Sequence, residues 1–173
     1  MRALDFWKTV VDDGVDFLDR LIAWLDGQRI RYCVVGGQAV NAYVDPLVSL
    51  DLDLAVALEQ LPGIEAGLRE AFTVERFPHS LNVAARGSGL RVQFQTDPRY
   101  AAFVARATPR EVLGALLPVA AVDDVLQGKL WAVQDTGHRP SKRQKDLADI
   151  ARLLEAYPAL RERVPSAVLA RLL

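Results

Sequence analysis

Two carboxylates stand two positions apart in the stretch Leu50 to Val56, which reads LDLDLAV. The apolar run around them predicts a β-strand, and side chains two positions apart on a strand point to the same face. Asp51 and Asp53 are therefore expected side by side. The residues expected to face the core from the same strand are Leu50, Leu52 and Leu54. Two aligned carboxylates hold hard divalent cations, Mg²⁺ above all or Mn²⁺.

A glycine pair lies upstream of the two carboxylates. The apolar run Tyr32 to Val35 predicts a buried strand, which ends at Gly36-Gly37, and Gln38 to Tyr43 has the pattern of a helix. Glycines after a strand let a phosphate approach the backbone, and the start of a helix attracts anions. Strand, glycines, helix and paired carboxylates together predict a magnesium–nucleotide site.

The order of these parts resembles the nucleotidyltransferase superfamily and, within it, the AbiEii/MenT-type toxin nucleotidyltransferases. Thirteen residues separate Gly37 from Asp51, which is similar to the spacing in that family. Residues 143–150, RQKDLADI, resemble the family's Arg-x-Lys-Asp-x-x-Asp-Ile helix. The resemblance covers about residues 30–155. It implies transfer of a nucleoside monophosphate from an NTP to a hydroxyl of tRNA or protein, by the toxin of a toxin–antitoxin pair with a cognate antitoxin as partner.

The resemblance also implies roles for individual residues. Lys129 and Asp146 would be catalytic together with Asp51 and Asp53. A lysine can bind a triphosphate as a point charge, and Asp146 could act as a base or orient a neighbouring cation. The residues that would bind the nucleotide are Gly36, Gly37, Ser49, Arg143 and Lys145. The alternative for the late block is a helix with ordinary salt bridges.

The chain departs from the family pattern where a third carboxylate is expected. The strand Leu90 to Thr96 should carry it, and the matching position holds Gln93, an amide that neither carries charge nor accepts a proton at neutral pH. Asp97 is the nearest substitute, although it is equally suited to a turn before Pro98. Leu47 also stands where the family often has an arginine.

Gln93 leaves two functions of different classes open. The first is a magnesium-dependent nucleotidyltransferase. The second is a catalytically weak protein of the same fold that binds a nucleotide or a partner as a regulatory module. An aminoglycoside-modifying enzyme is a third interpretation, and nothing in the sequence selects an antibiotic.

Length and periodicity indicate the fold class. The chain has 173 residues, 51% of them hydrophobic, which suits one domain with a helical appendage. We predict an α/β fold in which helices flank, on one side, a small mixed sheet of about five strands, followed by a helical C-terminal part. The predicted division is 1–116 for the core with its N-terminal helix and 117–173 for the helical part, or one compact domain.

Apolar periodicity places the remaining elements. The predicted strands cover residues 72–76, 81–85 and 90–96. The predicted helices cover residues 4–27, 61–72, 98–106, 109–116, 122–134, 141–157 and 166–172.

Composition and charge distribution indicate the cellular location and the kinds of ligand to expect. No apolar run is long enough to span a membrane and no signal-peptide pattern is present, so the sequence predicts a cytoplasmic protein without membrane contact. Cys33, the single cysteine, is expected to be buried in a strand. Residues 1–85 carry 7 basic and 13 acidic side chains, whereas residues 86–145 carry 10 basic and 5 acidic ones. The basic segment is either a wall for triphosphate or RNA, or an ordinary solvated surface.

Overall fold

A seven-stranded mixed sheet organises residues 14–172, the part of the chain that the computed structural model describes. Its strands are β1 (Tyr32–Val35), β2 (Asp51–Val56), β3 (Thr73–Phe77), β4 (Ser80–Ala84), β5 (Arg91–Gln95), β6 (Thr108–Val112) and β7 (Ala115–Val119). Their order across the sheet is β3-β4-β5-β2-β1-β7-β6. β2 pairs with β5, and β1 with β7, in parallel, while the remaining pairs are antiparallel. The predicted mixed sheet is confirmed, with seven strands where about five were expected.

Seven α-helices accompany the sheet in residues 14–172. They are α1 (Gly14–Gly27), α2 (Gly36–Asn41), α3 (Leu61–Ala71), α4 (Phe103–Arg106), α5 (Val122–Gln134), α6 (Pro140–Ala156) and α7 (Ser166–Leu169). The α/β class and the helical C-terminal part are confirmed. For the predicted N-terminal helix, residues 14–27 are helical and residues 4–13 lie outside the described part of the chain. None of the helices within residues 14–172 combines the length and apolarity needed to span a membrane.

The predicted helix over residues 109–116 is wrong, because this segment forms the β6–β7 hairpin. Leu113 and Gly114 occupy its two-residue turn with φ values of 51° and 82°. Positive φ at both central residues is the geometry that suits the right-handed twist of a hairpin. Asn-Gly or Asp-Gly usually marks such a turn, whereas Leu113 gave no turn signal and its partly buried side chain packs on the core instead.

The two faces of the central strands differ in polarity. The side chains of Leu52, Leu54, Val92, Phe94, Leu81 and Val83 are at most 1% exposed. The positions that alternate with them on β2, β5 and β4 carry Asp53, Gln93 and Asn82. Leu50, which was also expected in the core, lies one residue before β2 and is only partly buried. Each fully buried leucine or phenylalanine contributes about 1.5–3 kcal/mol to folding, so the apolar face holds the sheet while the polar face remains available.

Helices α1 and α3 contribute the side chains that complete this core. The buried residues on these helices are Phe17, Leu18, Leu21, Leu25, Ile64 and Leu68. A Cβ atom at Gly67 would come within 2.6 Å of the Trp24 ring, so the glycine permits the close approach of the two helices. Cys33 is buried in β1, as predicted.

The C-terminal helices α5 and α6 pack against each other and contact α2, and the α6 helix is followed by a 3₁₀ turn over Pro158–Arg163. Position 116, the predicted domain boundary, falls within β7. The division into two units stays a prediction.

The hairpin turn yields a test of the fold. Gly114→Ala places a Cβ in the left-handed region, which costs about 1–2 kcal/mol of unfolding free energy. Gly63→Ala is the matched control, because Gly63 is exposed in α3 with no atom near its Cβ position, and alanine should stabilise that helix by up to about 1 kcal/mol. Urea unfolding measures both, and equal effects of the two substitutions would contradict the hairpin geometry.

Candidate functional site

A cleft of about 770 Å³ lies over the polar face of the sheet. Asp53, Gln93 and Asn82 line it from β2, β5 and β4, while Lys129 and Asp146 line it from α5 and α6. Three of the four residues predicted to be catalytic are therefore gathered in one cavity. The sheet and the C-terminal helices form its opposite walls.

Gly36 brings the backbone against the Asp53 carboxylate. Val35 of β1 is paired in register with Asp53 of β2, and Gly36 follows at the start of α2 with φ of +68°. A Cβ atom at Gly36 would lie 2.3 Å from Oδ2 of Asp53, well inside van der Waals contact. Only glycine fits this position, for two reasons: its left-handed backbone and the adjoining carboxylate.

The Asp53 carboxylate lies in an environment that disfavours its charged form, chiefly because it is buried. Burial raises its pKa, Lys129 lowers it, and the neighbouring Asp51 raises it again, so that the pKa reaches about 6 from the ordinary value of 3.8. Lys142 contributes a further lowering. A carboxylate held in this state gains most from an added cation, which is the condition expected at a cation site.

Asp51 shares the polar face of β2 with Asp53, as the alternation predicted, but it does not line the cleft. Its Oδ1 accepts a hydrogen bond of 2.6 Å from Nε of Arg91, the residue opposite it on β5. The Asp51 side chain is 45% exposed. Asp51 can therefore turn to a second partner without a large desolvation cost.

Carboxylate oxygens are the ligands that Mg²⁺ prefers, so Asp51 and Asp53 suit one hard cation. Within residues 14–172, no group of three or more histidine, cysteine, aspartate or glutamate side chains converges on one point. The candidate cation ligands are Asp51 and Asp53.

Gln93 stands beside Asp53, in register on the parallel neighbour β5. The neutral amide therefore lies next to the two carboxylates, where the third acid was expected. Asp97 lines the cleft at the end of β5, but its carboxylate binds Arg99, with Oδ2 2.8 Å from Nη2, and caps the turn at Pro98–Tyr100. This pairing holds the pKa of Asp97 below its usual range.

Lys129 is buried between two carboxylates. Its Nζ lies 2.8 Å from Oδ1 of Asp146 and 2.8 Å from Oδ2 of Asp149, and all three residues are less than 10% exposed. Burial alone would lower the pKa of Lys129, but the two carboxylates outweigh it and raise that pKa. Within the described part of the chain, Oδ2 of Asp146 is buried without a hydrogen-bond partner, and Oδ2 of Asp149 has only its ion-pair contact with Lys129.

Arg152 extends this cluster to the loop before β2. Its Nη1 lies 2.9 Å from Oδ1 of Asp149, and its Nη2 donates to Oδ1 of Asn41 at 3.1 Å and to the carbonyl of Asp45. Asn41 in turn donates to the carbonyl of Leu47 at 2.7 Å. The charge cluster thus fixes the segment that leads into the Asp-x-Asp strand.

Four other predicted residues lie outside the cleft lining. Gly37 sits in the first turn of α2 with open space at its Cβ position. The Ser49 hydroxyl accepts a 3.2 Å hydrogen bond from the backbone N–H of Asp51. Arg143 and Lys145 lie on α6, away from the cleft wall.

Sequence reasoning missed Lys142, which does line the cleft. His138, Lys142 and Asp146 follow one another at four-residue steps, and all three reach the cavity. Lys142 and Asp146 share a face of α6 because they are four residues apart, whereas His138 precedes the helix. The signal for Lys142 was therefore its spacing from Asp146 rather than the family motif.

No protein-family profile and no curated protein sequence matches this chain. Several solved structures do match it. The antibiotic-resistance factor ANT(2'')-Ia matches with a TM-score of 0.56 at 15% identity, over 91% of this chain and 95% of that one. The lincosamide antibiotic adenylyltransferase LnuA, solved with lincomycin bound, matches with a TM-score of 0.52 at 9% identity, over 79% of this chain and 95% of that one.

A nucleotidyltransferase-like protein from Paracoccidioides brasiliensis matches with a TM-score of 0.53 at 20% identity, over 84% of this chain and 77% of that one. The chain therefore has the fold of nucleotidyltransferases. At these identities the likeness concerns the fold, and the AbiEii/MenT subtype implied by the sequence is not distinguished by it.

The contact between Gly36 and Asp53 leads to a paired test. Gly36→Ala should lower the free energy of unfolding by about 2 kcal/mol or more, because it adds a left-handed alanine and a clash with a carboxylate. Gly37→Ala, one residue later in open space, should leave it unchanged or slightly raised. Urea unfolding of the two variants decides, and a tolerated Gly36→Ala would show that the carboxylate does not pack there.

The raised pKa of Asp53 predicts a pH dependence of stability. The folded protein holds the Asp53 proton more tightly than the unfolded chain, so this group lowers the free energy of unfolding as pH rises from about 4 to about 6. Asp53→Asn removes the charge, so in EDTA the variant should be more stable than wild type at pH 7.5 and nearly equal to it at pH 4.

Asp97→Asn should change the free energy of unfolding in the opposite direction. The pKa of Asp97 is lowered, so its ion pair stabilises the fold above the ordinary pKa and is lost as pH falls. This variant should be less stable than wild type at pH 7.5. Urea unfolding at both pH values measures the two variants, and a loss of stability for Asp53→Asn at pH 7.5 would contradict the charge environment described here.

Proposed function

We propose that this protein transfers a nucleoside monophosphate from an NTP to a hydroxyl of an acceptor, with Mg²⁺ or Mn²⁺ as cofactor. One observation carries the proposal. The Asp53 carboxylate packs against a left-handed Gly36 directly after β1, inside a cleft that Lys142 also faces. That arrangement combines a cation ligand with backbone that a phosphate can approach, in a fold shared with nucleotidyltransferases.

Asp53 and Asp51 would hold the cation. Asp53 is buried with a raised pKa, so an added cation would stabilise its charged form, and Asp51 would exchange Arg91 for the cation. A bound divalent cation supplies charge stabilisation at the α-phosphate and at the departing pyrophosphate. Because Gln93 is neutral, the donor set favours one tightly held cation rather than two.

The remaining residues would bind the nucleotide and move the proton. Lys142 is exposed on the cleft wall and provides a positive charge for the triphosphate. The acceptor hydroxyl oxygen bonds to the α-phosphorus, the bond from that phosphorus to pyrophosphate breaks, and the hydroxyl proton passes to the Asp146 carboxylate. Asp146 lines the cleft, and its Oδ1 lies 2.8 Å from Nζ of Lys129, whose positive charge faces the carboxylate.

Gln93 favours a second candidate, a protein that binds Mg–NTP without transferring it. A missing third carboxylate removes one ligand and one base from the site that polymerase-like members use. The two candidates share nucleotide binding and differ in transfer. The transfer assay tests the tRNA or protein acceptor that the sequence resemblance implies. The toxin–antitoxin setting rests on the same resemblance alone.

Nucleotide binding should depend on Lys142. Lys142→Ala should weaken binding of a non-hydrolysable NTP analogue with Mg²⁺ about tenfold, which corresponds to about 1.4 kcal/mol. Calorimetric titration measures this, with Arg86→Ala, an exposed charge in the β4–β5 turn, as the control. A parallel Lys145→Ala variant decides between the cleft geometry and the family motif, because a larger effect at Lys145 than at Lys142 would contradict the assignment.

The transfer assay tests the function itself. Wild-type protein with each α-³²P-labelled NTP, Mg²⁺ or Mn²⁺, and an acceptor panel that includes total tRNA and cell protein should label an acceptor. The double variant Asp51→Asn/Asp53→Asn should be slower by about a hundredfold or more, because the cation loses both ligands. Gln93→Asp should bind Mg²⁺ with NTP at least as tightly as wild type, because it adds a third carboxylate to the candidate cation site. Metal-dependent NTP binding without labelling of anything would favour the second candidate.

A further inference from the structure

The floor of the cleft carries four uncharged polar side chains that the transfer chemistry does not use. They are Ser80 and Asn82 on β4 and Gln93 and Gln95 on β5. No side-chain hydrogen bond within residues 14–172 involves any of them. Groups with unused donors and acceptors in a cavity are satisfied by water or by a ligand with matching groups.

The register of the strands makes these four side chains a rectangle. Ser80 is paired with Gln95, and Asn82 with Gln93. The backbone positions of the rectangle therefore lie about 4.8 Å apart across the strands and about 6.8 Å apart along them, a span that suits one six-membered ring together with its hydroxyl groups. Because Gln93 is also in register with Asp53, a group above Gln93 lies about one strand spacing from the candidate cation ligand.

An apolar side chain borders the rectangle on the side away from Asp53. Phe77 on β3 is paired with Ser80, lines the cleft and is 42% exposed. A sugar ring presents hydroxyl groups at its edge and C–H groups on its face, and the exposed face of an aromatic ring packs well against such C–H groups.

The floor itself carries no charge that would attract a polycation. Four carboxylates line the cleft. Asp97 binds Arg99, Asp146 binds Lys129, and Asp53 is the one assigned to the metal. Asp135 lies 3.3 Å from His138, which forms an ion pair with it only when protonated. Because none of the four floor side chains is charged, the floor offers an amine no ionic partner.

We infer that this floor is an acceptor subsite for a neutral, hydroxyl-rich ring such as a sugar or glycoside, and not for a polyamine such as an aminoglycoside. The inference rests on the proposed transfer function for its consequence. One ring hydroxyl near Asp53 would receive the nucleoside monophosphate, with release of pyrophosphate and transfer of the hydroxyl proton to Asp146. Binding by the floor is independent of that step.

Side-chain amide NMR signals of Asn82, Gln93 and Gln95 test the inference directly, each assigned by its loss in the Leu variant. The probes are a panel of neutral mono- and disaccharides and, separately, tobramycin, each added with and without Mg²⁺ and a non-hydrolysable NTP. Saccharides should shift the three amide signals and tobramycin should leave them in place. If no member of the panel shifts them, or if tobramycin does, the inference is overturned.

Asn82→Asp reverses the chemistry of the floor at nearly constant shape. It should weaken saccharide binding at least about tenfold and allow tobramycin to bind, because a carboxylate now faces the ligand. The matched control is Glu75→Gln. Glu75 is paired with Asn82 from β3 but lies outside the cleft lining, so its loss should change neither affinity. Equal effects of the two substitutions would overturn the assignment of the floor.

The outcome is separable from the proposed function. Saccharide shifts without Mg–NTP binding would retain the subsite and refute nucleotidyl transfer. Mg–NTP binding without saccharide shifts would refute the subsite alone.

Discussion

The buried ion cluster around Lys129 is the interaction on which the cleft depends. A buried ammonium must be matched by carboxylates, and loss of one partner from such a cluster typically costs about 3–5 kcal/mol because a charge is left uncompensated. Here Asp146 and Asp149 share Lys129, and Arg152 balances the second carboxylate. The requirement for pairing fixes α5 against α6, and so determines which residues of α6 face the sheet.

The same cluster reaches the other wall of the site. Arg152 and Asn41 hold the loop from Asp45 to Leu47, which leads directly into β2. The position of the Asp-x-Asp strand relative to the C-terminal helices is therefore set by hydrogen bonds to charged groups, which are stronger and more directional than apolar packing. Apolar burial stabilises the sheet, whereas charge pairing aligns the two walls.

The site retains features that oppose stability. Burial and the neighbouring Asp51 raise the pKa of Asp53. Gly36 adopts a left-handed backbone conformation that other residues avoid. The unpartnered Oδ2 of Asp146 is a third such feature. Locally unfavourable features of this kind concentrate where a protein binds or transforms a ligand, and all three lie at one cleft.

The sequence by itself determined the local elements and the faces of their side chains. The alternation of acids with Leu52 and Leu54 predicted a polar and an apolar face of β2, and helical periodicity predicted α5 and α6 to within a residue. These predictions succeeded because they depend on backbone periods of 2 and 3.6, which act within a few residues. The β6–β7 hairpin was missed because Leu113 carries none of the usual signals of a turn, and its conformation is supported by packing on the core.

The tertiary structure alone decided which charges meet. Lys129 was predicted to take part in catalysis, and its ammonium group lies between two carboxylates seventeen and twenty residues away in sequence. Lys142 reaches the cleft although the family motif pointed to Arg143 and Lys145. Asp51 faces Arg91 because β2 and β5 are parallel neighbours, a pairing across forty residues. Charge partners depend on how separate elements pack, and no local period of the sequence encodes that arrangement.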